Sequence, residues 1–217
     1  EYFGVIRSLD GGASWRWVLK SDYETDPDNL QAGWAERDYG LPWYMTGPKG
    51  VGPIGLGVCA SDADICASTD LSSTFLTIDG GATWKQVYSA DNSDGTVSSR
   101  GLEVTTCYGV HFDPFDRGHL AISFTDIGLF HSRDGGQSWR HAIEGVPVSW
   151  GNTCYWLVFD PEVPRRSWSA WGGGHDLPRP KMMRSGRFRQ YEGGIGKSDD
   201  GMVSWRLTNK GMPGNCL

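Results

Sequence analysis

The chain lacks any apolar run long enough to span a bilayer, and it lacks the charged-then-apolar opening of a signal peptide. Glu1 falls inside a repeat, so the gene product is expected to begin upstream. Positive charge is scarce: 20 Lys and Arg against 26 Asp and Glu leave a formal charge of -6. That balance argues against a duplex nucleic-acid binder, which needs a basic face to release phosphate counterions. Five cysteines (Cys59, Cys66, Cys107, Cys154, Cys216) form no Cys-x-x-Cys pair and are odd in number, so neither a zinc ribbon nor a closed disulfide set follows from them. Stretches free of Gly and Pro are short, which excludes a helical bundle. What is abundant is Gly (31) and Trp (11), with 38% hydrophobic residues, enough for a buried core. The composition points to an all-β chain with many turns.

One pattern, Ser/Thr-x-Asp-Gly-x-x-Ser/Thr-Trp, holds at four places. It runs from Ser8 to Trp15 around Asp10, from Thr77 to Trp84 around Asp79, from Ser132 to Trp139 around Asp134, and from Ser198 to Trp205 around Asp200. Asp-Gly forces a tight turn with positive φ, the carboxylate accepts backbone N–H groups across it, and Trp packs beneath. Each copy is therefore a hairpin staple, and the interval between copies fits one four-stranded blade plus loops.

The staples resemble the Asp-box (BNR) motif of sialidases, xyloglucanase-type glycosidases, sortilin-like receptors and photosystem assembly propellers. The resemblance implies an all-β β-propeller of four-stranded antiparallel blades, incomplete here at about three and a half blades. Residues 1–22 are expected to form the outer half of a blade, 50–90, 104–145 and 150–210 three blades, and 211–217 the start of the next. The third repeat parses into strands at 108–113, 119–125, 128–132 and 138–142, and its successor into 155–160, 167–171, 194–198 and 204–208. The remaining blades are expected from sequence outside these residues or from another subunit.

Aligned on the Asp-boxes, a second carboxylate recurs between the second and third strands of each blade: Asp70, Asp126 and Asp176. Such connections crowd near a propeller's axis, where ligand clefts form, and convergent carboxylates supply the acid and base of glycoside hydrolysis. The stretch from Phe112 to Gly128 resembles the segment of xyloglucanase-type inverting endo-glucanases that ends in a Thr-Asp-Ile-Gly-Gly catalytic motif, with Leu129 replacing the second Gly. That resemblance implies Asp126 as a catalytic carboxylate, with Asp176 or Asp70 as partner. The alternative is that Asp126 only caps its own turn.

The insertion 172–193 carries His175, Arg179 and Lys181 among further basic residues, a set suited to an acidic glycan or simply to solvent. Trp34, Trp43 and Trp150 lie between blades and are candidate sugar platforms, whereas Trp17, Trp156 and Trp168 fall within strands and are expected to pack between blades. Cys107, Cys154 and Cys216 share one position on successive inner strands. Three thiols in a ring suit a soft metal, yet no His or carboxylate repeats with them, so small buried residues are expected, with no metal and no cofactor. A sialidase needs an Arg-Ile-Pro segment that this sequence lacks. The expectation is a secreted, extracellular or periplasmic carbohydrate-active propeller, a glycoside hydrolase acting on a polysaccharide. Its alternative is a non-catalytic glycan- or protein-binding scaffold, and neither nucleic acid nor membrane is an expected partner.

Overall fold

A computed structural model describes residues 3–21, 28–31, 55–69, 74–101, 106–174 and 192–208. The chain divides into two units, Glu1–Val104 and Thr105–Leu217. In the second unit, β10 (Cys107–Phe112), β11 (Leu120–Phe124), β12 (Leu129–Ser132) and β13 (Arg140–His141) form one antiparallel sheet in chain order. After a single 3-10 turn at Val148–Trp150, β14 (Thr153–Phe159), β15 (Ser167–Gly172), β16 (Gly193–Ser198) and β17 (Arg206–Leu207) form another. Two consecutive four-stranded meanders are two propeller blades, and the chain is an incomplete β-propeller. The strands match those expected from the repeat to within two residues at each end.

In the first unit, among the described residues β1 (Phe3–Arg7) pairs only with β2 (Arg16–Ser21). The next blade is β4 (Gly55–Val58), β5 (Cys66–Thr69), β6 (Thr74–Thr77) and β7 (Trp84–Gln86), to which β3 (Leu30–Gln31) adds a parallel pairing along β7. A further hairpin, β8 (Ser89–Asp91) with β9 (Val97–Ser99), was not expected. Its signal is the Asp94-Gly95 turn, where Gly95 takes a φ of 78° and the Asp94 carboxylate accepts from Thr96 N–H at 3.0 Å.

The repeated hairpin explains each of its own residues. In the third copy, Asp134 Oδ1 accepts from Ser132 Oγ (2.7 Å), Gln137 N–H (3.0 Å) and Ser138 N–H (2.9 Å), and Oδ2 from Ser138 Oγ (2.6 Å). The Ser132 hydroxyl oxygen accepts in turn from Gly136 N–H at 2.8 Å. Asp10, Asp79 and Asp200 repeat the scheme with Ser14, Thr83 and Ser204. The two residues after each Asp adopt positive φ, 69° and 88° at Gly80 and Gly81, which is why glycine dominates there. The fourth copy places Met202 at the second of these positions with φ 69°, and buries its side chain in the core.

Two of the staple tryptophans also join blades. Trp84 Nε1–H donates to Val18 O of the preceding outer strand at 2.8 Å, and Trp205 Nε1–H to Ala142 O at 2.9 Å. Their backbone N–H groups donate to the connecting segments, at Asn29 O and Glu144 O, both 2.8 Å. Core clusters sit behind these contacts. Val5, Val18 and Leu19 meet Cys66, Phe75 and Trp84 in the first unit. Ala121, Leu129 and Ala142 meet Cys154, Leu157, Trp171, Met202 and Trp205 in the second.

Candidate functional site

The staple carboxylates are committed to the fold. Hydrogen bonds from Ser14, first its hydroxyl and then its N–H, hold Asp10 at about 2. The Thr83 N–H and hydroxyl hold Asp79 at about 2. Asp134 is likewise held down by the Ser138 hydroxyl, while at Asp200 burial pulls upward but the Ser204 hydroxyl and N–H win. A carboxylate with both oxygens so occupied is a poor acid or base at neutral pH.

Asp126 differs. It stands between β11 and β12 with φ 70°, a left-handed conformation uncommon outside glycine, and is 5% exposed. Ile127 N–H donates to Thr125 O at 2.9 Å, closing a three-residue turn around it, and Thr125 N–H donates to Thr106 O at 3.0 Å. Two residues on, Gly128 also has φ 70°, and a Cβ there would stand 2.8 Å from Gly151 O. The Gly of Thr-Asp-Ile-Gly is thus required by the close passage of the segment entering β14, to which Gly128 bridges at Thr153.

Hydroxyls lead away from the corner. Thr153 Oγ1 lies 2.6 Å from Gly174 O, 2.9 Å from Asn152 Oδ1 and 3.2 Å from Thr125 Oγ1. With its single proton donated to Gly174 O, the shortest of these, Thr153 accepts from Thr125. Among the described residues the buried Asn152 Nδ2 has no acceptor. On the adjoining inner strands Tyr108 and Tyr155 stack with ring centroids 5.9 Å apart, and Tyr155 donates its hydroxyl proton to Gly174 O at 3.2 Å. Asn152, Tyr108 and Tyr155 were not singled out in the sequence, although the shared Thr-Cys-Tyr wording of the two inner strands marks the tyrosines.

Of the other expected site residues, Asp70, Asp176, His175, Arg179, Lys181, Trp34 and Trp43 lie outside the described residues, as does Cys216. Trp150 is corrected: its ring is buried in the core cluster with Leu157 and Trp171, because the 3-10 turn folds it inward, so it offers no open platform. Trp156 makes the expected contact between blades. It is half-exposed on β14, edge-on to His111 at 4.8 Å. Trp17 is also exposed. Cys107 and Cys154 each donate from Sγ to the carbonyl two residues on, Gly109 O and Trp156 O, inside the bulge their strands share. Burial pushes the Cys154 thiol far up. Among the described residues no group of His, Cys, Asp or Glu is arranged to hold a metal ion.

A second polar cluster went unseen in the sequence. His119 Nδ1 lies 2.8 Å from Asp113 Oδ2, and His119 Nε2 lies 3.2 Å from His131 Nδ1. With Asp113 ionised and both rings neutral, His119 donates from Nδ1 to the carboxylate and accepts at Nε2 from His131 Nδ1–H. His131 Nε2 is then a buried acceptor with no partner among the described residues. Burial first, then neighbouring charges including Arg133 and Arg140, lowers His131 to about 4. In the next blade Asp160 and Arg166 occupy the positions of Asp113 and His119, and there the Arg166 guanidinium stands 3.8 Å from Asp160 Oδ2.

No family model and no curated protein sequence matches the chain. Among solved structures it is similar to an ancestral GH74 enzyme (13% identity, TM-score 0.41, covering 74% of this chain and 20% of that one). It is similar also to the GH74 xyloglucanase from Xanthomonas campestris (16%, 0.27, 70% and 29%) and to YCF48 from Cyanidioschyzon merolae (14%, 0.32, 94% and 63%). The chain thus spans less than two thirds of each of these proteins. Its architecture stands on its own sheets and repeated hairpins.

Proposed function

We propose that the chain is part of a secreted carbohydrate-active propeller that hydrolyses a polysaccharide through paired carboxylates, with Asp126 as one of the pair. The observation that carries this reading is the contrast between Asp126 and the four staple aspartates. In the staples the positive φ falls on the two residues after the aspartate, whereas Asp126 itself occupies the left-handed region. Strain of this kind costs on the order of 1–3 kcal/mol and persists where surrounding structure over-determines it, commonly at functional sites. Asp70 or Asp176 would be the second carboxylate, at the roughly 6.5–9.5 Å separation an inverting mechanism needs. One then protonates the leaving oxygen while the other deprotonates the attacking water.

The burial of Asp126 favours a second reading, a non-catalytic glycan- or protein-binding scaffold in which the aspartate only shapes the corner. The test uses the full-length protein and Asp126→Asn, which keeps size and removes acid–base chemistry. Reducing ends are measured on neutral β-glucans and acidic polysaccharides, with thermal melts run in parallel. Folded, inactive Asp126→Asn supports the hydrolase. Wild-type protein that binds these polysaccharides and cleaves none removes the hydrolase and leaves the scaffold.

A further inference from the structure

In each blade the turn between the first two strands touches the staple of the same blade. Asp64 O, Gly118 O and Arg165 O each accept from the glycine that follows a staple aspartate, Gly80 N–H at 3.0 Å, Gly135 N–H at 2.9 Å and Gly201 N–H at 2.9 Å. Asp64, Gly118 and Arg165 are therefore counterparts in the repeat. In the first unit this corner carries balanced charge: Arg7, at the end of β1, reaches across to Gly80 and pairs with Asp64, Nη2 to Oδ1 at 2.7 Å.

In the second unit Arg165 stands where Asp64 does, and the cation of the preceding blade is Arg133. Arg133 Nη2–H donates to Gly201 O at 2.7 Å, and Arg165 Nη2–H donates to Asp200 O at 2.8 Å. A Cβ on Gly201 would lie 2.5 Å from Arg133 Nη2 and 3.7 Å from Arg165 Nε, so the two nitrogens, within the sum of those distances, are no more than about 6 Å apart. Both arginines are exposed, and Arg165 takes a left-handed backbone with φ 67°. Neither forms an ion pair among the described residues, because the carboxylates of the staple are committed elsewhere: Asp199 to Lys197, Arg166 and Arg206, Asp200 to Ser198 and Ser204. A guanidinium carries several N–H donors, so one carbonyl bond fixes each group and leaves donors to spare.

The geometry points to a binding site for a doubly charged oxyanion, sulfate or phosphate, free or as an ester, bridged between the Arg133 and Arg165 guanidinium groups where the two blades of the second unit meet. Two like charges this close repel unless a counter-charge lies between them, and no described side chain supplies one. Two charge-assisted N–H···O bonds of about 2.8 Å with an oxyanion between them span the gap. The first unit shows what a single negative charge does at this corner, since Asp64 balances one arginine there; two guanidinium groups call for two charges. Because both groups are already anchored on main-chain carbonyls, the ligand orders little side chain on binding. The site lies at the end of the strands opposite the β11–β12 corner, so it holds whether or not Asp126 is catalytic.

The probes are radiolabelled inorganic sulfate and inorganic phosphate, each in equilibrium dialysis against the whole chain at an ionic strength held constant with sodium chloride. Saturable binding of one ion per chain is expected, with a Kd of about 1 mM or tighter. Arg165→Asp restores the pairing that Asp64 makes with Arg7 and suits a left-handed backbone, so it should weaken binding by about tenfold or more at an unchanged melting temperature. Arg133→Gln, which keeps an amide to donate to Gly201 O, should weaken it as much. A monosulfated sugar and its desulfated form, competing with the labelled ion, identify the source: displacement by the sulfated sugar alone assigns the ester, and displacement by neither assigns the free ion. Binding that fails to saturate, or that survives Arg165→Asp and Arg133→Gln unchanged, overturns the proposal.

Discussion

The four staple tryptophans are identical in sequence context and unequal in structure, and this inequality fixes the size of a mutational effect. Trp84 and Trp205 are buried against the preceding blade and donate to Val18 O and Ala142 O, whereas Trp15 is 61% exposed and donates to Gly12 O of its own loop at 3.1 Å. Trp84→Ala and Trp205→Ala are each expected to destabilise their unit by about 3–5 kcal/mol, the transfer free energy of the ring plus the cavity left behind. Trp15→Ala empties no cavity and is expected to cost less than about 1 kcal/mol. Phenylalanine separates packing from hydrogen bonding. Val18 O also accepts from Asn29 Nδ2 at 2.8 Å, so Trp84→Phe leaves that carbonyl satisfied, and Trp205→Phe is expected to cost about 1 kcal/mol more by stripping the indole donor from Ala142 O. The assay is denaturant unfolding followed by far-ultraviolet circular dichroism, comparing midpoints at constant m-value. Equal losses for Trp15→Ala and Trp84→Ala would refute the reasoning, because burial by a neighbouring blade would then not be what gives these residues their weight.

Stability is expected to fall in two acid steps. His131 and His141 are lowered to about 4, and His111 and His119 are lowered too, burial being the first cause in each case. The native state therefore binds fewer protons than the unfolded chain, and stability complete above about 6.5 is lost as pH falls toward about 4, on the order of 3 kcal/mol for a group such as His131. His131→Gln should flatten that slope in chemical unfolding measured from pH 7 to pH 4. The staple carboxylates, with Asp10 and Asp79 held at about 2, contribute above about 4 and are lost below it. Met202→Gly relieves a left-handed side chain worth about 1–2 kcal/mol yet removes a buried one worth about 2–5, so a net loss is expected in the same assay. Asp126→Gly keeps the φ of 70° without strain and should not lower the melting temperature unless the carboxylate itself holds the corner.

The staples were legible because turn chemistry is local: Ser/Thr, Asp and Gly at fixed offsets satisfy one another within eight residues. The strands of the second unit followed, since two blades share the wording Thr-Cys-Tyr and Phe-Asp-Pro. What sequence spacing does not carry is which face another blade covers. Trp150 departed from its expected role for that reason, folded into the core by a 3-10 turn. The His119–His131 contact was hidden in the same way. The two residues lie at opposite ends of a hairpin, and they meet because His131 is paired beside Ala121 while His119 sits just before β11.

The hardest distinction is between two aspartates of one repeat. Asp134 belongs to the repeated staple and Asp126 to the corner between the second and third strands of the same blade, and both stand at tight turns. The backbone separates them. At Asp134 the positive φ values fall on the glycines that follow, and the carboxylate collects four hydrogen bonds across the loop. At Asp126 the positive φ falls on the aspartate itself, and the glycine two residues on is fixed by the close approach of Gly151 O. Aspartate, like asparagine, tolerates the left-handed region better than most residues other than glycine.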